Sequence, residues 1–396
     1  MTETERPWQR LSSLAALFLR LGIIGFGGPL AHIGLMEDEF ATRRRWVTHE
    51  DFLEGLAICN LLPGPTSTQL SIYLGYLRAG PLGGIISGAC FIAPAFVLVL
   101  ILAWVYIQYA VIPAVGALFV GIGPVVIAII FNTLYRSSRT ALTSVSSWCL
   151  SIAVCILTLL RLLPPSINLV FILLASGVVG ILVYGHTPAP PASELDQQQE
   201  KQESRRNTTP KSLLFVPFLV SKISLLIPLA LVFLKIGLLM FGGGLLVATL
   251  LQQELVDGLH WLTTRQLLDG LALGQLTPGP VSVVATFVGY TVAGPPGAVV
   301  ATVAVFLPSF VLVLSLTPLL RRIRNLPWAK GFLKGITAGA LGAIAAAGIS
   351  LGLVAIVDMI TAAIALISLL LLIRWNINTF FLIAGAAVIG LLRSLL

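Results

Sequence analysis

The residue types best suited to chemistry fall in two matching octapeptides, Asn60-Leu61-Leu62-Pro63-Gly64-Pro65-Thr66-Ser67 and Gln275-Leu276-Thr277-Pro278-Gly279-Pro280-Val281-Ser282. Each places a Pro-Gly-Pro break inside an apolar run. Proline removes a backbone donor and clashes with the preceding turn, so a continuous helix cannot pass through two of them. A helix restarting after the break suits Gly64 at the cap and Pro65 at the first helical position. Such a start presents unpaired amide N–H groups and the positive end of the helix dipole, which is anion-binding chemistry. Asn60 and Gln275 precede the breaks as neutral amides able to donate to an oxyanion. Thr66, Ser67, Thr68, Thr277 and Ser282 add hydroxyls, and Gln69 is a weaker candidate.

Further ionisable residues recur in pairs. Arg20 and Lys235 occupy the same place in two equivalent apolar helices, where a charge is costly unless it meets a cavity or a partner. A role in anion binding competes there with snorkelling or an ion pair to a carboxylate. Gly27-Gly28-Pro29 and Gly242-Gly243-Gly244 end those helices and suit either close backbone approach to a ligand or tight helix packing. Glu54 and Asp269 are matched carboxylates, as are Glu39 and Glu254. Buried carboxylates carry protons in transporters, while the commoner role is a solvated or salt-bridged side chain, as for Glu39 beside the Arg43 cluster. His32 has no match and reads as structural or interfacial, and Arg78 as a cytoplasmic anchor.

The elements that position these residues are membrane helices. The chain has 396 residues, 57% hydrophobic and 10% charged, with mean hydropathy +0.99. A soluble domain carries about 25% charged residues, so the composition is that of an all-α polytopic membrane protein in contact with the bilayer. The net charge of +8 sits in short clusters between apolar runs, the positive-inside pattern rather than a nucleic-acid surface. The polar start, Met1 to Arg10, lacks the marks of a removable signal peptide. The four cysteines lack metal-ligand spacing and read as packing residues. No zinc, nucleotide or nucleophile-elbow motif is present, so neither an enzyme nor a cofactor is expected, and transport must run on an ion gradient or the membrane potential.

The chain repeats itself. Phe26-Gly27-Gly28 matches Phe241-Gly242-Gly243 at an offset of 215 (241 − 26), and Glu39/Glu254, Trp46/Trp261 and both Pro-Gly-Pro breaks share it. After a one-residue deletion Gly75-Tyr76 pairs with Gly289-Tyr290 and Pro94 with Pro308. Residues 1–185 and 212–396 are therefore homologous repeats, joined by a polar, flexible linker at 186–211. In the first repeat, helices are expected at 11–28, 81–108, 113–135, 143–163 and 166–184, with an amphipathic segment at 31–45 and a broken pair at 50–62 and 65–78. Limbs of roughly 13 residues reach about 20 Å against a hydrocarbon core of about 30 Å, which favours a re-entrant hairpin. Basic clusters swap loops between repeats: Arg43-Arg44-Arg45 and Arg136/Arg139 in the first, Arg321-Arg322-Arg324 in the second. That swap predicts inverted topology, five spanning helices and one hairpin per repeat. It also places the N-terminus outside the cytoplasm, against the preference of Arg6 and Arg10.

Phe26-Gly27-Gly28-Pro29 with Ala31-His32, Arg44-Arg45-Trp46, Leu62-Pro63-Gly64-Pro65 and Gln275-x-Thr277-Pro278-Gly279-Pro280 together closely resemble the chromate ion transporter family in its long, two-domain form. The resemblance covers both repeats. It implies chromate efflux across the bacterial inner membrane, driven by membrane potential or proton gradient and conferring chromate resistance. Sulfate is the natural competitor and alternative cargo, and a homodimer is an open arrangement. The second repeat departs by having Gly244 for Pro29 and no His or Arg-Arg cluster, so unequal contributions are expected. An intramembrane enzyme on lipid-linked phosphates would need a carboxylate cluster or His dyad that is missing, and a scaffold role leaves the breaks and intramembrane cations unexplained.

Overall fold

The computed structural model describes residues 6–109, 112–160, 169–184, 223–241, 246–323, 326–375 and 377–394. The expected linker at 186–211 and the glycines 242–244 lie outside the described residues. Every regular element among the described residues is helical. The first repeat contains α1 (Pro7–Ile24), α2 (Gly28–Glu37), a π-helical turn (Asp38–Arg43), α3 (His49–Leu61), α4 (Thr66–Tyr109), α5 (Pro113–Ala141), α6 (Val145–Leu159) and α7 (Leu169–Tyr184). The second contains α8 (Ile223–Leu239), α9 (Leu246–Leu251), a π-helical turn (Gln252–Gly258), α10 (Thr264–Leu276), a 3-10 turn (Val281–Val283), α11 (Val284–Ile323), α12 (Pro327–Ala355), α13 (Met359–Trp375) and α14 (Thr379–Ser394).

Local chemistry sets the same punctuation twice. Thr48 caps α3 by accepting the Asp51 amide, and Thr263, 215 positions on, caps α10 by accepting that of Gln266. Pro113 and Pro327 start α5 and α12, where proline's missing N–H is no loss. Helices α4 and α11 each turn a corner, at Ala79-Gly80 and Ala293-Gly294, where Gly80 and Gly294 both have φ 68°. Beyond the corner each helix doubles back, setting Gly75 against Gly83 and Gly289 against Gly297.

Several boundaries differ from expectation. Helix α1 ends at Ile24 and not at 28, because Gly27 and Gly28 take φ 106° and 77° and turn the chain into α2. The segment expected at 31–45 accordingly begins at Gly28 and finishes in a π-helical turn at Arg43. The span expected at 143–163 is the shorter α6, which Ser144 caps from the Ser147 amide. The helix after the first break starts at Thr66, one residue later than expected. Pro65 supplies the first carbonyl of the ladder, to Gln69 N at 3.0 Å, and Gly64 at φ 133° stands outside it.

Among the described residues, four segments are long and apolar enough to cross a membrane: Thr66–Tyr109, Ala114–Ala141, Val281–Thr317 and Pro327–Ala355. Val299, Val303, Leu307 and Val311 of α11 form an exposed apolar stripe at i, i+4 spacing, the surface a bilayer requires. The chain is a multi-pass membrane protein.

The repeats interlock. Gly84 of α4 lies against Leu314 of α11 and Gly88 against Phe310, so these equivalent helices cross antiparallel. Helices α5 and α12 do the same, with Gly123 beside Ala355 and Gly348 beside Ile130. Helices α6 and α7 pack on α12, whereas α13 and α14 pack on α5, so each repeat lends its last two helices to the other. Close approach through glycine seals both exchanges: Gly180 of α7 meets the backbone of Gly331 and Gly335, and Gly390 of α14 meets that of Ala117 and Gly121.

Two glycine substitutions should separate packing from propensity. Gly180→Ala drives a methyl into the Gly331 carbonyl and should cost about 1–3 kcal/mol. Gly385→Ala, exposed on α14 with open space around it, should gain up to about 1 kcal/mol. Thermal unfolding in detergent reads both, and equal midpoints would contradict the glycine seam.

Candidate functional site

The two limbs flanking each break fold back on each other. The space a Cβ would take on Gly55 of α3 is filled by the Tyr73 ring of α4, and Gly270 of α10 meets Phe287 of α11 in the same way. The tips of these folded pairs reach into the opposite repeat. Gly64 N donates to Met240 O, at the end of α8, at 2.6 Å, and Gly279 N donates to Gly25 O, at the end of α1, at 3.0 Å. Both donors and both acceptors are repeat equivalents, so the two hydrogen bonds form a reciprocal pair. Each tip also abuts the opposite long helix, Gly64 at Ser309 and Gly279 at Ala95. The register of α4 on α11 sets Ile92 opposite Phe306, its own counterpart. Ala95 and Ser309 therefore lie about 4.5 Å beyond the crossing in opposite directions, at 1.5 Å per residue.

The first break is lined by polar groups. Thr66 Oγ1 donates to Asn60 Oδ1 at 3.3 Å, which leaves the amide hydrogens of Asn60 uncommitted. Gln69, fully buried, donates from Nε2 to Pro63 O at 2.6 Å. Thr66, Ser67 and Thr68 are buried in the first turn of α4, ahead of the first ladder bond. At the second break Thr277 turns its hydroxyl back on Gly274 O at 2.9 Å, and Ser282 donates to Met240 Sδ at 3.1 Å. Gln275 is half-buried beside it. His32, also buried, bonds through Nε2 to Gly25 O at 2.8 Å, the carbonyl that accepts Gly279 N. It helps to hold the second tip in place, a structural role. Gly27 and Gly28 form the α1–α2 turn, and a Cβ on Gly28 would meet open space, so backbone conformation rather than packing requires glycine there.

The matched cations find matched carboxylates. Lys235 Nζ bonds Glu254 Oε1 at 2.6 Å, and Arg20 Nη1 lies 3.9 Å from Glu39 Oε1. Glu39, in the π-helical turn, also meets Arg43 Nη1 at 3.7 Å and Arg44 Nε at 3.2 Å. Both cations thus enter ion pairs across the junction of the first two helices of each repeat, with Arg20 the more exposed. Glu54 is half-buried on α3. Its counterpart Asp269 is buried, paired with Arg265 at 3.4 Å and bonded by Tyr106 Oη at 2.9 Å. Tyr106 belongs to α4 and stacks edge-on against Phe287, so Asp269 links the two repeats. No group of three or more His, Cys, Asp or Glu able to hold a metal occurs among the described residues. An apolar crevice between α5, α6 and α12, lined by Phe131, Trp148 and Leu341, touches neither break.

Ser309 escaped the sequence reading. The available signal was a mismatch between repeats: Pro308-Ser309 aligns with Pro94-Ala95, a small polar residue against a small apolar one beside an invariant turn of the repeat.

The family model described as "Chromate transporter" matches residues 12–181 and 227–391. The chain is 34% identical over 401 residues to the "Chromate transport protein" of Cupriavidus metallidurans, covering 97% of this chain and 94% of that one. It is 35% identical to the "Probable chromate transport protein" of Synechococcus elongatus, covering 92% and 90%, and 33% identical to the "Chromate transport protein" of Pseudomonas aeruginosa, covering 88% and 83%. No solved structure matches the chain.

A double-mutant cycle tests the ion pairs. Lys235→Met with Glu254→Leu should give a coupling of about 1 kcal/mol or more, because the pair is short and partly shielded. Arg20→Met with Glu39→Leu should give less than about 0.5 kcal/mol, since Arg20 is 61% exposed and Glu39 keeps two other arginines. The reverse ranking in detergent unfolding would contradict the geometry.

Proposed function

Because the chain belongs to the chromate transporter family, a family of transporters and not enzymes, we propose that it exports chromate from the bacterial cytoplasm by alternating access between two inverted repeats. The observation that carries this reading is the reciprocal hydrogen bonding of the two breaks. It sets two interrupted helices at the contact between the repeats, where relative motion of the repeats must open and close a path.

Several features support the finer points. Equivalent helices α4 and α11, and α5 and α12, run antiparallel, as equivalent spans do when one repeat is inserted upside down. Limbs 49–61 and 66–78 fold back at a tip and are each too short to cross alone, which supports a re-entrant hairpin. At the tip of α4, first-turn amides, the Thr66, Ser67 and Thr68 hydroxyls and the Asn60 amide supply donors for a tetrahedral oxyanion. Gly64 shapes that tip, and Gly279, Gln275, Thr277 and Ser282 form its mate. Arg20 and Lys235, held by Glu39 and Glu254, supply positive charge at the mouths of the same helices instead of bare cations in the path. Of the carboxylates Glu39, Glu54, Glu254 and Asp269, our choice for any proton-coupled step is Asp269, whose bond to Tyr106 bridges the repeats.

A cytoplasm-negative potential favours loss of a dianion by about 4.6 kcal/mol per 100 mV, twice the roughly 2.3 kcal/mol for a single charge. Export therefore proceeds down the electrical gradient. In everted inner-membrane vesicles, chromate should accumulate when the lumen is made positive, and excess sulfate should slow it. Accumulation of sulfate but not chromate would reassign the cargo, and no movement of either anion would refute the reading. Labels placed at Arg43 and Asp257 should report opposite faces of the membrane; labelling from one face would end the inverted arrangement.

A further inference from the structure

The two breaks share a backbone and differ in what surrounds it. On Gly64 the position a Cβ would occupy is already filled by Ser309 Oγ and Gln69 Nε2, whereas on Gly279 it faces the Ala95 methyl at 2.9 Å. Thr66, Thr68 and Gln69 follow the first break where Val281, Val283 and Val284 follow the second. Gln69 and Ser309 both have 0% exposure, yet Gln69 Oε1 and Ser309 Oγ have no hydrogen-bond partner. Buried polar atoms are nearly always paired, and here the unpaired Ser309 Oγ of one repeat meets the Gln69 amide nitrogen of the other at one tip. The tip is also a helix start, so its first-turn amides face the same place.

We propose that the chain carries a single, asymmetric oxyanion subsite, at the first break, completed in trans by Ser309 of the second repeat together with Gln69 of the first. This rests on the anion-transport reading above and adds the residues that set its affinity. Ser309 Oγ–H donates to one ligand oxygen. Gln69 keeps one Nε2 hydrogen on Pro63 O and offers the other to the tip, where Nε2 lies beside Gly64. Thr66, Ser67 and Thr68 supply the amides of the α4 start. The second break, where Ala95 and valines stand in place of Ser309, Thr66, Thr68 and Gln69, is its structural mate and binds no anion.

The test uses the full chain in proteoliposomes, with chromate as substrate, and thermal unfolding of the same protein in detergent with and without chromate. Ser309→Ala removes a hydrogen bond to a charged ligand, so KM should rise about tenfold or more. The unfolding midpoint without chromate should hold, because the hydroxyl has no protein partner to lose, and protection by chromate should fall. Gln69→Leu should raise KM likewise, while Ala95→Ser, the mirror change, should leave KM unchanged. An unchanged KM in Ser309→Ala while the unmutated protein transports chromate overturns the subsite and leaves the transporter reading standing. A large fall in its ligand-free midpoint, or an equal effect of Ala95→Ser, also overturns it. Protection by sodium alone that Ser309→Ala abolishes, with chromate KM intact, would make this a cation site and end the proposal. Failure of the unmutated protein to bind or move chromate would end both readings.

Discussion

A helix interrupted in apolar surroundings must find partners for the backbone groups it frees, and this protein finds them across its own internal symmetry. Gly64 N closes on Met240 O and Gly279 N on Gly25 O. Lipid offers such groups no partner, so an unmade bond is expensive. The consequence is that neither tip is a loose loop. Each is pinned to the end of the opposite repeat's first helix, and that helix is in turn seated on the long helix behind it, Gly22 on Phe91 and Pro94, Gly237 on Val305 and Pro308.

Symmetry is kept where the backbone needs it and dropped where side chains face the tips. The corners at Gly80 and Gly294 agree to within a few degrees, and the ion pairs Arg20–Glu39 and Lys235–Glu254 recur. His32 against Val247, Ser309 against Ala95 and Gln69 against Val284 do not. The backbone scaffold occurs twice, while the side chains around the two tips differ in polarity.

Much of this was legible from the chain alone because glycine and proline restrict the backbone whatever surrounds them. The breaks, the corners after Arg78 and Val292, and the starts at Pro113 and Pro327 all follow from residue type. The cations were harder. Arg20 and Lys235 fit either an anion site or an ion pair, and the π-helical turn that delivers Glu39 and Glu254 to them has no clear sequence mark. The approach of Ser309 to Gly64 joins positions far apart in the chain, so periodicity could not reveal it. Helix ends such as Ile24 depended on the positive φ angles of Gly27 and Gly28, which glycine permits without requiring.

The exchange of α6–α7 for α13–α14 bears on how the protein is made. Helices emerge from the ribosome in order, and domains ordinarily fold as they appear. Here α6 and α7 enter the bilayer well before α12, the surface they are shaped to meet, and α5 waits longer still for α14. The early half is therefore an unfinished object, with glycine grooves open to lipid until the late half arrives. Packing between the halves is thus completed only after the late half has been made.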